Sequence, residues 1–364
     1  MQRKTRVPRS KIQRTAAPRP RILSVGTANP PTKFTQEELL ALFRCTEPAV
    51  IQFFRNSHIR TRHLVLPAPQ QDGSLPDEDG AALLDKHRRV SLEIGREAIE
   101  QCLDARKLTP ADVDIFVVVS STGFLCPGLS AHLARAMGFR RDVQRLDVVG
   151  MGCNGAMNGL LSAADLAAAS PGKRALLLAC EVCSAAYVFD RSARTGVVNS
   201  LFGDGAAALL LAVDDQATAS GPVLVDFESF LIHEALDAMR FDFVDGRFSF
   251  FLDRDAPYVI GEHAQKPVDA LLARHGLKRR DIAHWLVHSG GKKVIDSVKY
   301  NLGLTEHDVR HTRAILRDFG NLSSASFLFS YQELTREKIA RPGDWGVTIA
   351  MGPGVSIETG LLRW

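Results

Sequence analysis

The feature that most constrains this chain is that it repeats itself. "LTPADVDIFVVVSST" from Leu108 and "LKRRDIAHWLVHSGG" from Leu277 both run a charged turn into an apolar stretch, pairing Asp112 with Asp281. "VGMGCNGAMNGLL" and "RDFGNLSSASFLF" both set a glycine just before a polar residue and an apolar helical run, pairing Cys153 with Asn321. "PGKRALLLACE" and "PGDWGVTIAMG" pair Pro171 with Pro342. Three matches in the same order, at offsets of 168 to 171 residues, mark a duplication. Such a chain is expected to fold as two related halves, 21–219 and 220–364, after an N-terminal arm, 1–20.

Apolar runs at 115–119, 175–179, 206–213, 285–287 and 347–351 read as strands buried on both faces. They alternate with helical segments, which is an α/β pattern. In "NGAMNGLLSAADLAAAS", Met157, Leu160, Leu161, Ala164 and Ala168 keep helical spacing with small residues between them, so this helix is expected to be buried on most sides. A pseudo-twofold axis between the halves would bring the helix starts at Cys153 and Asn321 face to face.

Composition removes several other classes. Hydrophobic residues make up 45% of 364, enough for a large core, and no apolar run approaches the roughly 20 residues of a membrane span. The N-terminus lacks the apolar centre of a secretory signal, so a soluble, cytoplasmic protein is expected. Six scattered cysteines argue against a disulfide framework, and the single CxxC, Cys180 and Cys183, has no second pair at zinc-binding spacing. No metal is expected. Residues 1–21 hold eight Lys/Arg and no acid, which leaves the rest of the chain near −4 from an overall +4. An arm without aromatic residues reads as a solvated tail rather than a nucleic-acid-binding element. A metal- or nucleic-acid-binding protein is the competing class, and it requires bound zinc or salt-sensitive affinity carried by that arm.

The chemistry gathers at the repeated corners. A thiolate is the reactive form of cysteine, and the start of a helix stabilises it, so Cys153 between Gly152 and Gly155 reads as a nucleophile. His288, followed by two glycines, ends the equivalent strand of the second half. Cys153 and His288 form an ion pair on this reading, while His288 and the Asn321 amide both donate to one oxygen and stabilise an enolate or tetrahedral oxyanion. A cysteine protease also uses Cys, His and Asn, with the Asn orienting the His; here Asn321 has its own glycine-preceded helix start, which favours direct action on substrate. His284, with no matched nucleophile or glycine turn, is expected to be structural.

At these residues the sequence resembles the thiolase superfamily, and within it the chalcone-synthase-like type III polyketide synthases. The resemblance rests on "GMGCNGA", "LVHSGGKKVID", "GNLSSAS", "LFGDGAAA" and "MGPGVSIE", and runs from about Arg21 to Trp364. "HSGGKK" departs from the "HPGGP" usual in plant members. The resemblance implies a thiolase-like five-layered αβαβα fold of two pseudo-twofold-related halves, assembled as a homodimer. It implies malonyl-CoA as starter and extender, no cofactor beyond CoA thioesters, and a tetraketide that cyclises to an aromatic CoA ester, with enoyl-CoA hydratase-like helper enzymes expected. Another starter or cyclisation, or an acyl-carrier-protein-dependent ketoacyl synthase, uses the same Cys153, His288 and Asn321. Phe202 and Phe250 match the family's aromatic gatekeepers, Cys126 a loop that reaches the partner's cavity, and Gly354 the C-terminal glycine loop. Two basic positions that contact CoA in plant members are Ala49 and Asn56 here, and Arg55, Arg60, Arg62, Lys292 and Lys293 are the substitutes the sequence offers for phosphate.

Overall fold

The computed structural model describes residues 19–364 apart from 187–189, 191, 214–220 and 245–246. Of the basic arm, 1–18 lie outside the described residues. Nine strands form one sheet: β1 (Arg21–Ala28), β2 (Ile115–Ser120), β3 (Gln144–Val149), β4 (Arg174–Glu181), β5 (Gly205–Ala212), β6 (Val223–Leu231), β7 (Ile282–Val287), β8 (Trp345–Gly352) and β9 (Ser356–Arg363). Their spatial order is β7-β8-β9-β6-β1-β5-β4-β2-β3. Read outward from the β6/β1 seam, the two halves follow one plan. The pairs β2/β4 and β7/β8 are parallel, and β4/β5, β8/β9, β1/β5 and β6/β9 are antiparallel. The seam itself is thin, with Arg21 opposite Val223. The described second half has no counterpart of the edge strand β3; the stretch ahead of Asn321 is helix instead.

The duplicated turns agree in detail. Asp112 accepts the Thr109 N–H at 2.8 Å, and Asp281 accepts the Lys278 N–H at 2.8 Å, each in a one-turn helix that feeds its strand. An Asp that ties down a free N–H just before an apolar run stops the turn and starts the strand.

Among the helices that pack on this sheet and around its strand ends are α1 (Gly80–Asp104), α2 (Gly155–Ala168), α3 (Lys292–Leu302), α4 (Arg310–Phe319) and α5 (Ser326–Glu337). α2 touches β2 and β4 of its own half and β9 of the other; α5 touches β7 and β8 and also β1 and β5. Both therefore lie in the middle layer, between two sheet halves that carry α1 on one outer face and the helix Gln265–Ala273 on the other. This is the thiolase-like five-layered αβαβα arrangement. A helix packed between two sheet halves keeps little solvent face, which is why α2 has low amphipathicity and buries Ala156, Met157, Leu160, Ala163, Ala164 and Ala167, while Asp165 and Leu166 are exposed on its remaining face. At roughly 25 cal/mol per Å² of apolar surface removed from water, this burial on most sides holds the two halves together. Among the described residues, no helix is long and apolar enough to cross a membrane.

Candidate active site

β3 ends at Val149, and two left-handed glycines, Gly150 (φ 76°) and Gly152 (φ 68°), turn the chain into a short 3-10 turn, Gly152–Asn154, that leads into α2. A Cβ on Gly152 would stand 2.2 Å from Pro353 Cδ, so only glycine fits between the conformation and the neighbouring loop. Ser121, the first residue beyond β2, accepts the Gly152 N–H at 2.8 Å and braces the turn. Cys153 is held at the head of the central helix with 8% of its surface exposed.

The second half approaches from the other side. Gly320 (φ 76°) lets Asn321 run beside Leu201–Gly203, with Asn321 N–H on Leu201 O at 2.8 Å and Gly203 N–H on Asn321 O at 2.9 Å. Asn321 Oδ1 accepts the Ser323 N–H at 2.9 Å. An amide oxygen only accepts, so this bond fixes which end of the side chain carries hydrogens. Nδ2 donates to Gly290 O at 3.4 Å, and the same side chain lowers the proton affinity of the Cys153 thiol. His288, the first residue beyond β7, is 1% exposed, and a Cβ on Gly290 would lie 3.2 Å from its ring. Asn321 thus links the thiol to the loop that carries the imidazole, and the three residues selected from sequence come together.

The register between the turns differs from the sequence pairing. The helices start 171 residues apart, at Gly155 and Ser326, so Ser324, not Asn321, is the structural counterpart of Cys153. Ser323 (φ 49°) takes the place of Gly152, and Asn321 sits just upstream of the turn. Glycine spacing aligned the sequence; the second half gains residues between strand and helix that shift it.

Burial dominates the electrostatics. It pushes the Cys153 thiol up to about 12, with the Glu181 carboxylate adding to the rise and Ser323 and Asn321 opposing it. It pushes His288 down to about 3, and His288 Nδ1 has no partner among the described residues. Burial therefore opposes the thiolate–imidazolium pair expected from sequence, because each charged form loses its water. Sequence reasoning missed Glu181, which is fully buried at the end of β4 and is raised to about 7 by burial against bonds from Ser324, Ser121 and Thr122. The Ser121 N–H reaches it at 3.0 Å. A lone acid in "RALLLACEV" was the available signal, since an unpaired carboxylate in an apolar strand is costly unless used.

Phe202 and Phe250 meet edge to face at 6.0 Å, both buried, and Phe202 bridges to Asn321, so they wall the site. Gly354 (φ 75°) donates to Met239 O at 3.0 Å; Met239 and Cys153 belong to one apolar cluster. Cys126 is exposed on the outside of the subunit. The five cations separate. Arg62 is 1% exposed and donates to Gln36 Oε1 and the Phe202 carbonyl, which removes it from a surface phosphate site. Arg55 pairs with Glu37 at 3.0 Å and Lys292 with Asp296 at 2.8 Å. Arg60 shares Asp318 with Arg317, a cation not singled out from sequence, leaving that triplet net positive. Lys293 is exposed in the first turn of α3 and has no ion pair among the described residues. His284 Nε2–H donates to Asp344 Oδ2 at 2.9 Å, and the ring packs on Trp364, a structural role. Cys180 and Cys183 fall into separate apolar clusters.

The family models "Chalcone and stilbene synthases, N-terminal domain" and "C-terminal domain" match residues 7–215 and 230–364. The chain belongs to the chalcone and stilbene synthase family. Among curated relatives of this family, a 3,5-dihydroxyphenylacetyl-CoA synthase from Streptomyces toyocaensis is 52% identical over 353 residues, covering 95% of this chain and 90% of the relative. One from Amycolatopsis orientalis is 49% identical over 346 residues, 94% of this chain and 93% of the relative. Of solved structures, PKS-I from the brown algae Ectocarpus siliculosus superposes with a TM-score of 0.89 at 28% identity, over 96% of this chain and 100% of that one. The 1,3,6,8-tetrahydroxynaphthalene synthase of Streptomyces coelicolor A3(2), a bacterial type III polyketide synthase, gives 0.87 at 29%, over 94% and 99%. This chalcone and stilbene synthase relative is therefore a type III polyketide synthase, a condensing acyltransferase.

Proposed function

We propose that this enzyme condenses malonyl-CoA, as starter and extender, into a tetraketide on Cys153 and closes it to 3,5-dihydroxyphenylacetyl-CoA. The observation that supports it most is the Asn321 amide, whose oxygen is tied back by Ser323 N–H so that its N–H₂ end faces the thiol and the histidine loop. The high identity to named synthases of that product supports the product assignment.

Loading transfers the thiol proton to His288 as sulfur attacks the starter thioester, the acyl–sulfur bond to CoA breaks, and His288 returns the proton to the departing CoA thiol, which leaves the imidazole neutral. The helix start and the Ser323 and Asn321 side chains offset part of the burial that resists the thiolate charge. In the condensation, the C–C bond to the malonyl carboxylate breaks and its electron pair moves into an enolate whose oxygen faces donors from Asn321 and neutral His288. Donors fixed before the charge develops need no reorganisation, which is why they lower the barrier. The enolate carbon then attacks the Cys153 thioester and sulfur leaves as thiolate. Phe202 and Phe250 keep water from the enolate. The Arg60–Arg317–Asp318 triplet and Lys293 are the cations we assign to the CoA phosphates.

We assign the working unit as a homodimer joined along β3. This edge strand leaves Leu146 and Val149 at 38% and 46% exposure, and Phe124 nearby in sequence to Cys126 at 64%. An apolar sheet edge of this kind calls for a covering surface. Helper enzymes of the enoyl-CoA hydratase type fit a product that must lose water.

Purified protein and its Cys153→Ala variant, given malonyl-CoA alone, test the reading by mass spectrometry. The dihydroxyphenylacetyl ester or acid from the unmodified enzyme only is the expected result. Cys153-dependent pyrones would place final closure on a helper, and no Cys153-dependent consumption would overturn malonyl-CoA as sole donor.

A further inference from the structure

Behind the wall of the active site lies a buried cation that the reaction itself does not touch. Arg62 sits in the short strand Thr61–His63, opposite Phe34, and is 1% exposed. Its acceptors are neutral oxygens: Gln36 Oε1, from Nε at 3.2 Å and Nη2 at 2.9 Å, and Phe202 O, from Nη1 at 2.6 Å. Among the described residues no carboxylate pairs with it; Asp204, close by in the chain to Phe202, accepts from Ser184 and Val65 instead. The Phe54 ring lies 5.6 Å from the guanidinium. A buried guanidinium without a counter-charge is costly, so its use lies in where its fork points.

The fork grips a segment that in turn grips Asn321. Gln36, the first residue of the helix Gln36–Leu42, takes Arg62 on its amide oxygen and donates from Nε2 to Ser200 O at 2.8 Å. Three successive carbonyls are thereby assigned: Ser200 to Gln36, Leu201 to the Asn321 N–H at 2.8 Å, and Phe202 to Arg62. Phe202 O and the Gly203 N–H belong to one planar trans peptide unit, so they point in opposite directions. With Arg62 on the oxygen, the Gly203 N–H is aimed at Asn321 O, which it reaches at 2.9 Å.

The packing passes this geometry on. A Cβ on Gly320 would lie 2.8 Å from Arg62 Cδ and 2.6 Å from Leu201 O, and one on Gly203 would lie 2.4 Å from Phe319 O. The Arg62 stem, Leu201–Gly203 and Phe319–Asn321 therefore meet at the closest approach that glycine permits.

We propose that Arg62, held by Gln36, is a positioning residue of the condensation. Its fork fixes the peptide plane between Phe202 and Gly203, and through it the Asn321 backbone, so that the Asn321 amide and the Phe202 ring stand where the enolate forms. Lysine does not replace it, because an ammonium is a point charge and lacks the planar fork that meets Gln36 and Phe202 O together. The inference deepens the donor role proposed for Asn321 and rests on it.

The test uses full-length Arg62→Lys and Arg62→Ala and follows malonyl-CoA consumption as CoA released, whatever polyketide forms. Arg62→Lys is expected to lose about tenfold or more in kcat with KM nearly unchanged, staying within the loss caused by removing the Asn321 donor itself. In an Asn321→Ala background the same substitution should cost less than about twofold more, since a residue acting through Asn321 then has nothing to position. Losses that multiply would show that Arg62 acts independently of Asn321 and would overturn the inference. Arg62 also lines a cavity of about 110 Å³ that reaches the exposed Arg44 and Asp77, so the space vacated in Arg62→Ala is open to a small cation. Guanidinium chloride, far below denaturing concentration, should restore kcat at least about fivefold, and methylammonium, which has no fork, should not. Equal rescue by the two ions would reduce Arg62 to a charge and overturn its geometric role. Should Arg62→Ala not fold, the cycle with Arg62→Lys decides.

A crystal structure of Arg62→Lys without substrate separates the positioning from the reaction. Asn321 Nδ2 is expected to move by at least about 0.5 Å, the tolerance of a working site. An unmoved Asn321 overturns the inference. A displaced Asn321 with undiminished kcat leaves the positioning in place and removes the donor role assigned to Asn321 instead.

Discussion

The two turns that face each other across the middle layer share a backbone and divide the chemistry. Gly152-Cys153-Asn154 and Ser323-Ser324-Ala325 are both 3-10 turns entered through a left-handed residue and continued by a central helix. One carries the sulfur; the other carries Ser324, which hydrogen-bonds Glu181. The strand ends divide likewise, Ser121 bracing the nucleophile turn and His288 entering the site. Two anchored helix starts meet at one axis, and a few positions divide them: one presents the Cys153 thiol, the other the Ser324 hydroxyl and, just ahead of it, the Asn321 amide.

Making the turns chemically alike should cost most. Cys153→Ser places a hydroxyl at both positions, and a buried hydroxyl gives up its proton far less readily than a thiol. Condensation is expected to fall by at least about 10³-fold, with the fold intact by circular dichroism and malonyl-CoA still bound. Appreciable turnover would mean that the nucleophile lies elsewhere. The next largest loss is expected from Asn321→Ala, which removes a donor and leaves Cys153 and His288 in place. Loss of one preorganised donor costs about 10²–10³ in kcat, with KM changed little. A loss in KM alone would make Asn321 a binding group.

His288 and Ser121 differ in titration as well. The unfolded chain takes up a proton at His288 near the ordinary 6.5, while burial keeps the native imidazole neutral down to about 3. The unfolded state therefore binds more protons, and stability falls as pH drops below 6.5. At about pH 5 His288 accounts for about 2 kcal/mol of this loss. From about pH 7 to 5, the stability of His288→Gln relative to the unmodified protein should rise by about 2 kcal/mol, read from denaturant midpoints. The comparison cancels Glu181, whose raised value acts in the opposite direction. Parallel curves would mean that His288 is solvated in the native state.

Much of this comparison was legible in the sequence, because duplication and buried strands leave strong local traces. Asp112 and Asp281 sit in matching turns, the five apolar runs are strands, and Cys153, His288 and Asn321 meet. What was hidden depends on distance in space rather than pattern along the chain. Gly320 imitates Gly150 and Gly152 in sequence, so only the helix starts reveal that Ser324 is the partner of Cys153. Arg62 looks like its neighbours Arg55 and Arg60, yet its guanidinium turns inward to Gln36 and the Phe202 carbonyl, where no surface phosphate reaches. His87 carries no motif, because the Thr122 hydroxyl it faces lies in the loop after β2, far from it in sequence.

The smallest effect separates backbone from side chain within the turn. Ser323 holds φ 49° where its counterpart is a glycine at φ 68°. A left-handed conformation costs a non-glycine residue about 1 kcal/mol, and glycine relieves that while adding about as much freedom to the unfolded chain. Ser323→Gly should therefore leave stability within about 1 kcal/mol. The buried Ser323 hydroxyl, which has no hydrogen-bond partner among the described residues, lowers the proton affinity of the Cys153 thiol, so its loss should slow alkylation of Cys153 by iodoacetamide several-fold at fixed pH. Ser323→Ala keeps the strain and removes the same hydroxyl; it should slow alkylation equally, with stability close to that of the glycine variant. If Ser323→Gly is alkylated at the unmodified rate, the hydroxyl gives the thiolate no support, and the contribution of this turn reduces to its backbone and the Asn321 amide it orients.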